Sequence, residues 1–253
     1  MTSHVIRVTA RAEVHPYTWT IVQLKKVERT MVATENENGV SNLLAAYEGE
    51  INSHARYKAY AAKAESEGLS GAASLFRAAA RAEQIHASNH ARVIRHMGGQ
   101  IEAEIRPFRV KSTLENLKAA LGGEQHEIDS LYPEFLVHAT SQLDTHAMRS
   151  FHWAIESEKT HARLYQDALS ATEAGTGWTQ EQIDFFVCTL CGYTAKTQEA
   201  DNCPACNFVW DRFEVIRASG TDRVGINRAF ALHPSNRGHG YGREFNPCSR
   251  DRD

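Results

Sequence analysis

A chain of 253 residues with a formal net charge of −3 and a pI near 6.5 is long enough for one sizeable domain, or for one domain with a small appendage. Its slight acidity argues against a general nucleic-acid or membrane-surface binder, and no apolar run approaches the roughly 18 residues a membrane span needs. Five cysteines, four of them crowded between Cys188 and Cys206, point to a metal site and not to a scattered disulfide framework, which fits a reducing, cytoplasmic setting.

In chain order, residues 1–38 read as a peripheral extension. The part before Met31 lacks both helical periodicity and the compact apolar core of a secretory signal, ATENENG is a polar lead-in, and Met31 is an alternative start to Met1. Ser41 to Glu67 is rich in Ala, Tyr, Glu and Lys and predicts a long helix, closed by a Glu-Gly-Leu-Ser-Gly break. Ala72 to Met97 predicts a second, with Leu75, Ala79, Ala82, His86 and Val93 near helical spacing and Gly98-Gly99 at its end. Gly98 to Lys111 contains Pro107 and reads as a long connection to a second pair, Thr113 to Ala139 and Leu143 to Ser170. Two helical hairpins joined by one crossover match a ferritin-like four-helix bundle over residues 39–174. Beyond Ala174 the composition changes, and residues 183–216, aromatic, turn-rich and cysteine-bearing, read as a small metal-knuckle domain with short strands. The tail at 217–253 is poor in apolar residues and is expected to be disordered, with Cys248 a free thiol without a role.

The four helices carry an ordered set of carboxylates and imidazoles. Glu83-x-x-His86 and Glu158-x-x-His161 each aim a carboxylate and an imidazole from one helical face, since residues three apart are neighbours there. One such motif is common by chance, and any one Glu alone is more often a solvated surface group. The order along the chain is more specific: Glu50, then Glu83 with His86, then Glu124, then Glu158 with His161, which is the alternation of a di-iron carboxylate bundle. Carboxylates facing one another inside a bundle cost several kcal/mol each unless protonated or compensated, and two metal ions supply the compensation. Oxygen donors with imidazole suit iron or manganese better than zinc or copper. In GGEQHEIDSLYPEF, Glu127 lies one turn beyond Glu124 as a surplus carboxylate, a seventh ligand candidate or a surface ion-pair partner, and Pro133 predicts a kink just past the site. His90, His96, His126, His138, His146 and His152 fall outside the set and read as surface or packing histidines.

Cys188-x-x-Cys191-Gly192-Tyr193 and Cys203-Pro-Ala-Cys206 place four thiolates at the spacing of one tetrahedral metal, iron or a structural zinc. Gly192 suits the positive φ that turns backbone N–H groups toward sulfur. Phe186, Tyr193, Phe208, Trp210 and Phe213 supply either a dry shell for an iron site or simply the small domain's core.

Gly49-Glu50 with Arg56-Tyr57, Glu83-x-x-His86, Gly123-Glu124-x-x-Glu127 running into Leu131-Tyr132-Pro133, Glu158-x-x-His161 and the CxxCGY and CPAC knuckles together resemble the rubrerythrin family, from about Asn42 to Val215. The resemblance implies a ferritin-like di-iron domain followed by a rubredoxin-like domain. It makes Glu83 and Glu158 bridging ligands, Glu50, Glu124 and His161 terminal ones, and has Glu127 and His86 share the remaining position, exchanging the iron on a change of redox state. It makes Tyr57 and Tyr132 hydrogen-bond donors to ligand carboxylates, and has Cys188, Cys191, Cys203 and Cys206 hold a mononuclear iron that feeds electrons to the di-iron centre. It further implies reduction of hydrogen peroxide, a protein electron donor, and a homodimer or larger assembly in which one chain's knuckle domain serves another's bundle. The alternatives are a ferroxidase and a non-catalytic scaffold with structural zinc; no partnership with nucleic acid or membrane is expected.

Overall fold

A computed structural model describes residues 21–176 and 179–220, with side chains from Gly39 onward. Its helices are α1 (Ile21–Ser66), α2 (Ser70–His96), α3 (Thr113–His126), α4 (Tyr132–Ser141) and α5 (Thr145–Glu173), followed by strands β1 (Phe185–Cys188), β2 (Thr194–Ala195) and β3 (Phe213–Ile216). The α1–α2 hairpin turns at Gly68, whose φ of 74° lies in the left-handed region. The long crossover ends at Ser112, whose side chain and that of Glu115 form a capping box at the start of α3. Asp144 caps α5 by accepting from the His146 and Ala147 N–H groups. The mainly α, ferritin-like bundle and the small knuckle region expected from sequence are both present.

Two features differ from expectation along the helices. α1 begins at Ile21 and not near Ser41. The segment has no clear amphipathic period and mixed helix propensity, with several Val, Thr and Asn residues, but it lacks proline and extends an already nucleated helix. Where the kink at Pro133 was expected, the helix carries a π-helical turn over Glu127–Leu131, with only Tyr132 between it and the proline. The Tyr132 N–H reaches back to the Glu127 carbonyl, five residues away, so the insertion of one residue absorbs the hydrogen-bond donor that Pro133 lacks.

Along the helices that carry the predicted set, its residues fall between two apolar clusters. One contains Tyr57, Phe76, Leu117 and Tyr165. The other contains Leu43, Ile94, Tyr132 and Phe151. On α1, Leu43 precedes Glu50 and Tyr57 follows it; on α5, Phe151 precedes Glu158 and Tyr165 follows His161.

The three strands form an antiparallel sheet in the order β2-β1-β3. Phe185 and Val187 of β1 and Ile216 of β3 join the bundle's own apolar cluster. Cys188, Tyr193, Trp210 and Phe213 form a separate one, with the Trp210 and Phe213 rings stacked at 3.9 Å. The first residues of the expected tail are also held: Arg77 donates to the Ala218 carbonyl at 2.9 Å, and the Ala218 N–H donates to Asp184 at 2.9 Å. Cys248 and the rest of the tail lie outside the described residues.

Candidate metal centres

The bundle brings the six predicted side chains into two adjoining groups. Glu50, Glu83, His86 and Glu158 each offer a ligand atom within 4.8 Å of the others, and so do Glu83, Glu124, Glu158 and His161. Glu83 and Glu158 belong to both groups, which is the geometry of two positions bridged by two carboxylates. All six residues are at most 1% exposed. Glu50 Oε2, Glu83 Oε1 and Glu124 Oε2 are buried without a hydrogen-bond partner, and the Glu158 oxygens meet only the Nδ1 atoms of His86 and His161, at 2.8 and 2.7 Å. Orphaned ligand atoms converging from four helices are costly unless cations bind them, so the residues fit a di-metal centre.

The protonation pattern carries the same message. Burial pushes Glu83 well above the usual carboxylate range, reinforced by the charges of Glu158, Glu50 and Glu124. Burial and Glu158 push Glu124 up to about 7. Burial would also raise Glu158, but His86 and His161 outweigh it and hold Glu158 near 2. Burial disfavours the His161 cation, yet Glu158 and Glu124 pull its pKa up to about 9. Without metal, protons stand in for the missing positive charge.

The imidazoles point their Nδ1 atoms inward. His86 Nδ1 lies 3.0 Å from Glu83 and 2.8 Å from Glu158, and His161 Nδ1 lies 2.7 Å from Glu158. Each Nε2 faces the knuckle region: His86 Nε2 is 3.0 Å from the Cys191 carbonyl and His161 Nε2 is 3.0 Å from Thr194 Oγ1. Tyr57 donates to Glu124 at 2.6 Å, and Tyr132 donates to Glu50. Glu127 is half-buried and stands outside both groups, at the wall of a cavity of about 190 Å³ that Asn52, Arg56, Arg106 and Phe108 also line.

Sequence reasoning undervalued His90. It is fully buried and bridges Tyr132 and Ser150, with Nε2 3.3 Å from the tyrosine hydroxyl and Nδ1 2.9 Å from Ser150 Oγ. It lies one turn beyond His86 on the same face, and this i, i+4 relation was the available signal. Tyr165, also missed, is buried with its hydroxyl unpartnered and its ring 5.7 Å from that of Tyr57.

In the knuckle region the four cysteines converge with no disulfide: Cys188 and Cys206 Sγ are 3.7 Å apart, and Cys191 and Cys203 Sγ are 3.5 Å apart. A tetrahedral metal with sulfur at about 2.3 Å needs S···S edges of about 3.8 Å, so the four thiolates fit one ion. Gly192, φ 85°, and Asn207, φ 60°, occupy the equivalent left-handed position after the second cysteine of each knuckle. A Cβ at Gly192 would run into His86 Nε2, so that glycine is also required by the approach of knuckle to bundle.

The family model described as rubrerythrin matches residues 41–169. The chain belongs to the rubrerythrin family. It is 32% identical to rubrerythrin-2 of Clostridium acetobutylicum over 188 residues, 73% of this chain and all of that protein. It is also 32% identical to nigerythrin of Nitratidesulfovibrio vulgaris over 168 residues, 66% of this chain and 81% of that one. Among solved structures, nigerythrin in a fully reduced, all-ferrous state aligns with a TM-score of 0.64 and 31% identity, covering 70% of this chain and 86% of that one. A bacterioferritin of Rhodobacter capsulatus, at 22% identity and a TM-score of 0.52, shares the fold over 55% of this chain and 87% of its own. Rubrerythrins form a di-iron oxidoreductase family, and the bundle set and four-cysteine site here supply the matching ligands. Within the chain the knuckle packs on the bundle, with Asn89 donating to the Leu190 carbonyl at 2.8 Å and Arg81 pairing with Glu214 at 2.7 Å. No described helix is long and apolar enough to cross a membrane.

Proposed function

We propose that this rubrerythrin is a peroxidase that reduces hydrogen peroxide to two waters, consuming two electrons and two protons. The observation that carries the reading is the direct contact between the two centres: His86, inside one metal-ligand group, meets the carbonyl of Cys191, a thiolate ligand of the other. When bound, a pair of irons supplies the two electrons that split the O–O bond without releasing a radical, and the cysteine-bound iron restores them one at a time.

The chain's own residues do the rest. Glu50, Glu124, Glu83, Glu158, His86 and His161 hold the bundle centre, and Tyr132 and Tyr57 orient Glu50 and Glu124 through their hydroxyls. The two apolar clusters keep bulk water from the buried side of the site. The cavity at Glu127 is large enough for a two-oxygen substrate, given about 30 Å³ per water in the liquid. Glu127, half-buried at its wall, is placed to exchange protons with it and to serve as the spare ligand. The chain has no nicotinamide fingerprint, so the electron donor is another protein.

Stopped-flow mixing of anaerobically reduced protein tests the reading. Peroxide is expected to reoxidise the bundle centre faster than oxygen does. Faster reaction with oxygen favours a ferroxidase, and zinc in the four-cysteine site with no electron acceptance overturns the relay.

A further inference from the structure

We propose that Thr194, on strand β2 of the knuckle, is a positioning residue of the bundle centre: it fixes His161 as the Nε2–H tautomer and so leaves Nδ1 free for the metal. The assignment rests on the di-metal reading above and follows from counting hydrogens. The Thr194 hydroxyl has one hydrogen, and it is donated to the Gly192 carbonyl at 2.9 Å. Toward His161 Nε2, 3.0 Å away, the oxygen is therefore an acceptor, and the nitrogen carries the proton.

The hydroxyl is held in place by a second pair of hydrogen bonds. The Thr194 N–H donates to Thr160 Oγ1 at 3.3 Å, and the Thr160 hydroxyl donates in turn to the Ser157 carbonyl at 2.8 Å. Thr160 and His161 are adjacent on α5, so one turn of that helix grips Thr194 by both backbone and side chain. Thr194 and His161 are both fully buried, so no solvent competes for the contact. On the other side of the ring, Nδ1 faces carboxylates alone, Glu158 at 2.7 Å, Glu124 at 3.7 Å and Glu83 at 3.9 Å.

The two histidines differ in one respect that makes the proposal testable. The Nε2 partner of His86 is a backbone carbonyl, which no substitution at its own position removes. The partner of His161 is a side chain. Replacing Thr194 thus perturbs one imidazole and leaves the other as an internal control. Outer partners of metal-bound histidines typically contribute about 10- to 100-fold in metal affinity.

The test uses the full chain loaded with zinc, in which the ring nitrogens of both histidines are read by ¹⁵N NMR, together with competition titration of zinc. Thr194→Val keeps the shape and removes the acceptor; Thr194→Ser restores the hydroxyl. The Val variant is expected to bind zinc about 10- to 100-fold more weakly at the position containing His161, with the His161 Nε2–H signal shifted and that of His86 unchanged. The Ser variant is expected to restore both. Wild-type affinity and an unchanged His161 signal in the Val variant overturn the assignment. So does loss of zinc from the four-cysteine site in that variant, which would make Thr194 a knuckle-folding residue. Zinc uptake by the wild type at the four-cysteine site alone would instead overturn the di-metal reading beneath it.

Discussion

Gly192→Ala is the sharpest probe of the contact between the two centres. Gly192 has φ 85°, and a side chain there meets His86 Nε2. An alanine in the left-handed region costs about 1–2 kcal/mol. Relief of the steric overlap separates His86 from the Cys191 carbonyl and leaves a buried donor and acceptor unpaired, at about 1–3 kcal/mol. Together, about 2–5 kcal/mol lowers the ratio of docked to undocked loop by a factor of roughly 30 to 5,000. The knuckle itself should survive, because Phe185, Val187 and Ile216 stay embedded in the bundle's core. The assay follows the visible band of the cysteine-bound iron after peroxide has oxidised the bundle centre. Its oxidation, which reports electron transfer, should slow strongly while the iron content of the four-cysteine site stays normal. Gly192→Asn separates the two contributions: asparagine tolerates the left-handed backbone, as Asn207 shows at φ 60° in the other knuckle, but it carries the same Cβ. Electron transfer at the wild-type rate in both variants would refute the contact as the route.

Two further predictions concern the bundle. Glu127→Ala is expected to keep most of the iron and to slow peroxide turnover, because both ligand groups are complete without it; iron analysis beside stopped-flow kinetics checks this, and loss of the di-iron centre would contradict it. The pH dependence that arises from the buried ligand set should appear only when metal is absent. Glu124, raised to about 7, contributes stability that is whole below its ordinary 4.5 and lost as pH rises through 7. His161, raised to about 9, contributes stability that is whole below 6.5 and lost through 9. Glu158, held near 2, runs the other way, but its loss is confined to pH below about 4.5. The metal-free protein should therefore melt at progressively lower temperature from about pH 5 to 9, and the metal-loaded protein should not. Parallel thermal-melt profiles for the two forms would show that the buried charges are not what the metals compensate.

What the sequence made legible were interactions between near neighbours on a helix and their order along the chain. Glu83 with His86 and Glu158 with His161 are three residues apart, and helical geometry alone commits them to one face. Glu50 and Glu124 followed from their place in the alternation. The hidden features all depend on register or on partners distant in sequence. The π turn at Glu127–Leu131 has no propensity signature of its own, and proline signals only that a donor is missing, not how the backbone will compensate. His90 is chemically identical to the exposed histidines until Tyr132 and Ser150 arrive from other helices. Thr194 was invisible because its role is created by docking. The contact that makes it a partner of His161 joins residues 33 positions apart on separate elements.

The docking itself traces to one four-residue strand. Phe-Phe-Val-Cys, β1, is apolar throughout, so its sequence lacks the alternation that would say which face is buried. Both faces are. Phe185 and Val187 enter the bundle's cluster, while Phe186 and Cys188 enter that of the knuckle, as the period of two in a strand requires. The same strand that anchors the knuckle to the bundle therefore ends in its first thiolate ligand. Metal-free knuckles of this size usually depend on their ion for folding, but here half of the central strand is held by helix packing that needs no metal. That arrangement fixes the Cys191 carbonyl and the Thr194 hydroxyl against the two histidines through apolar burial.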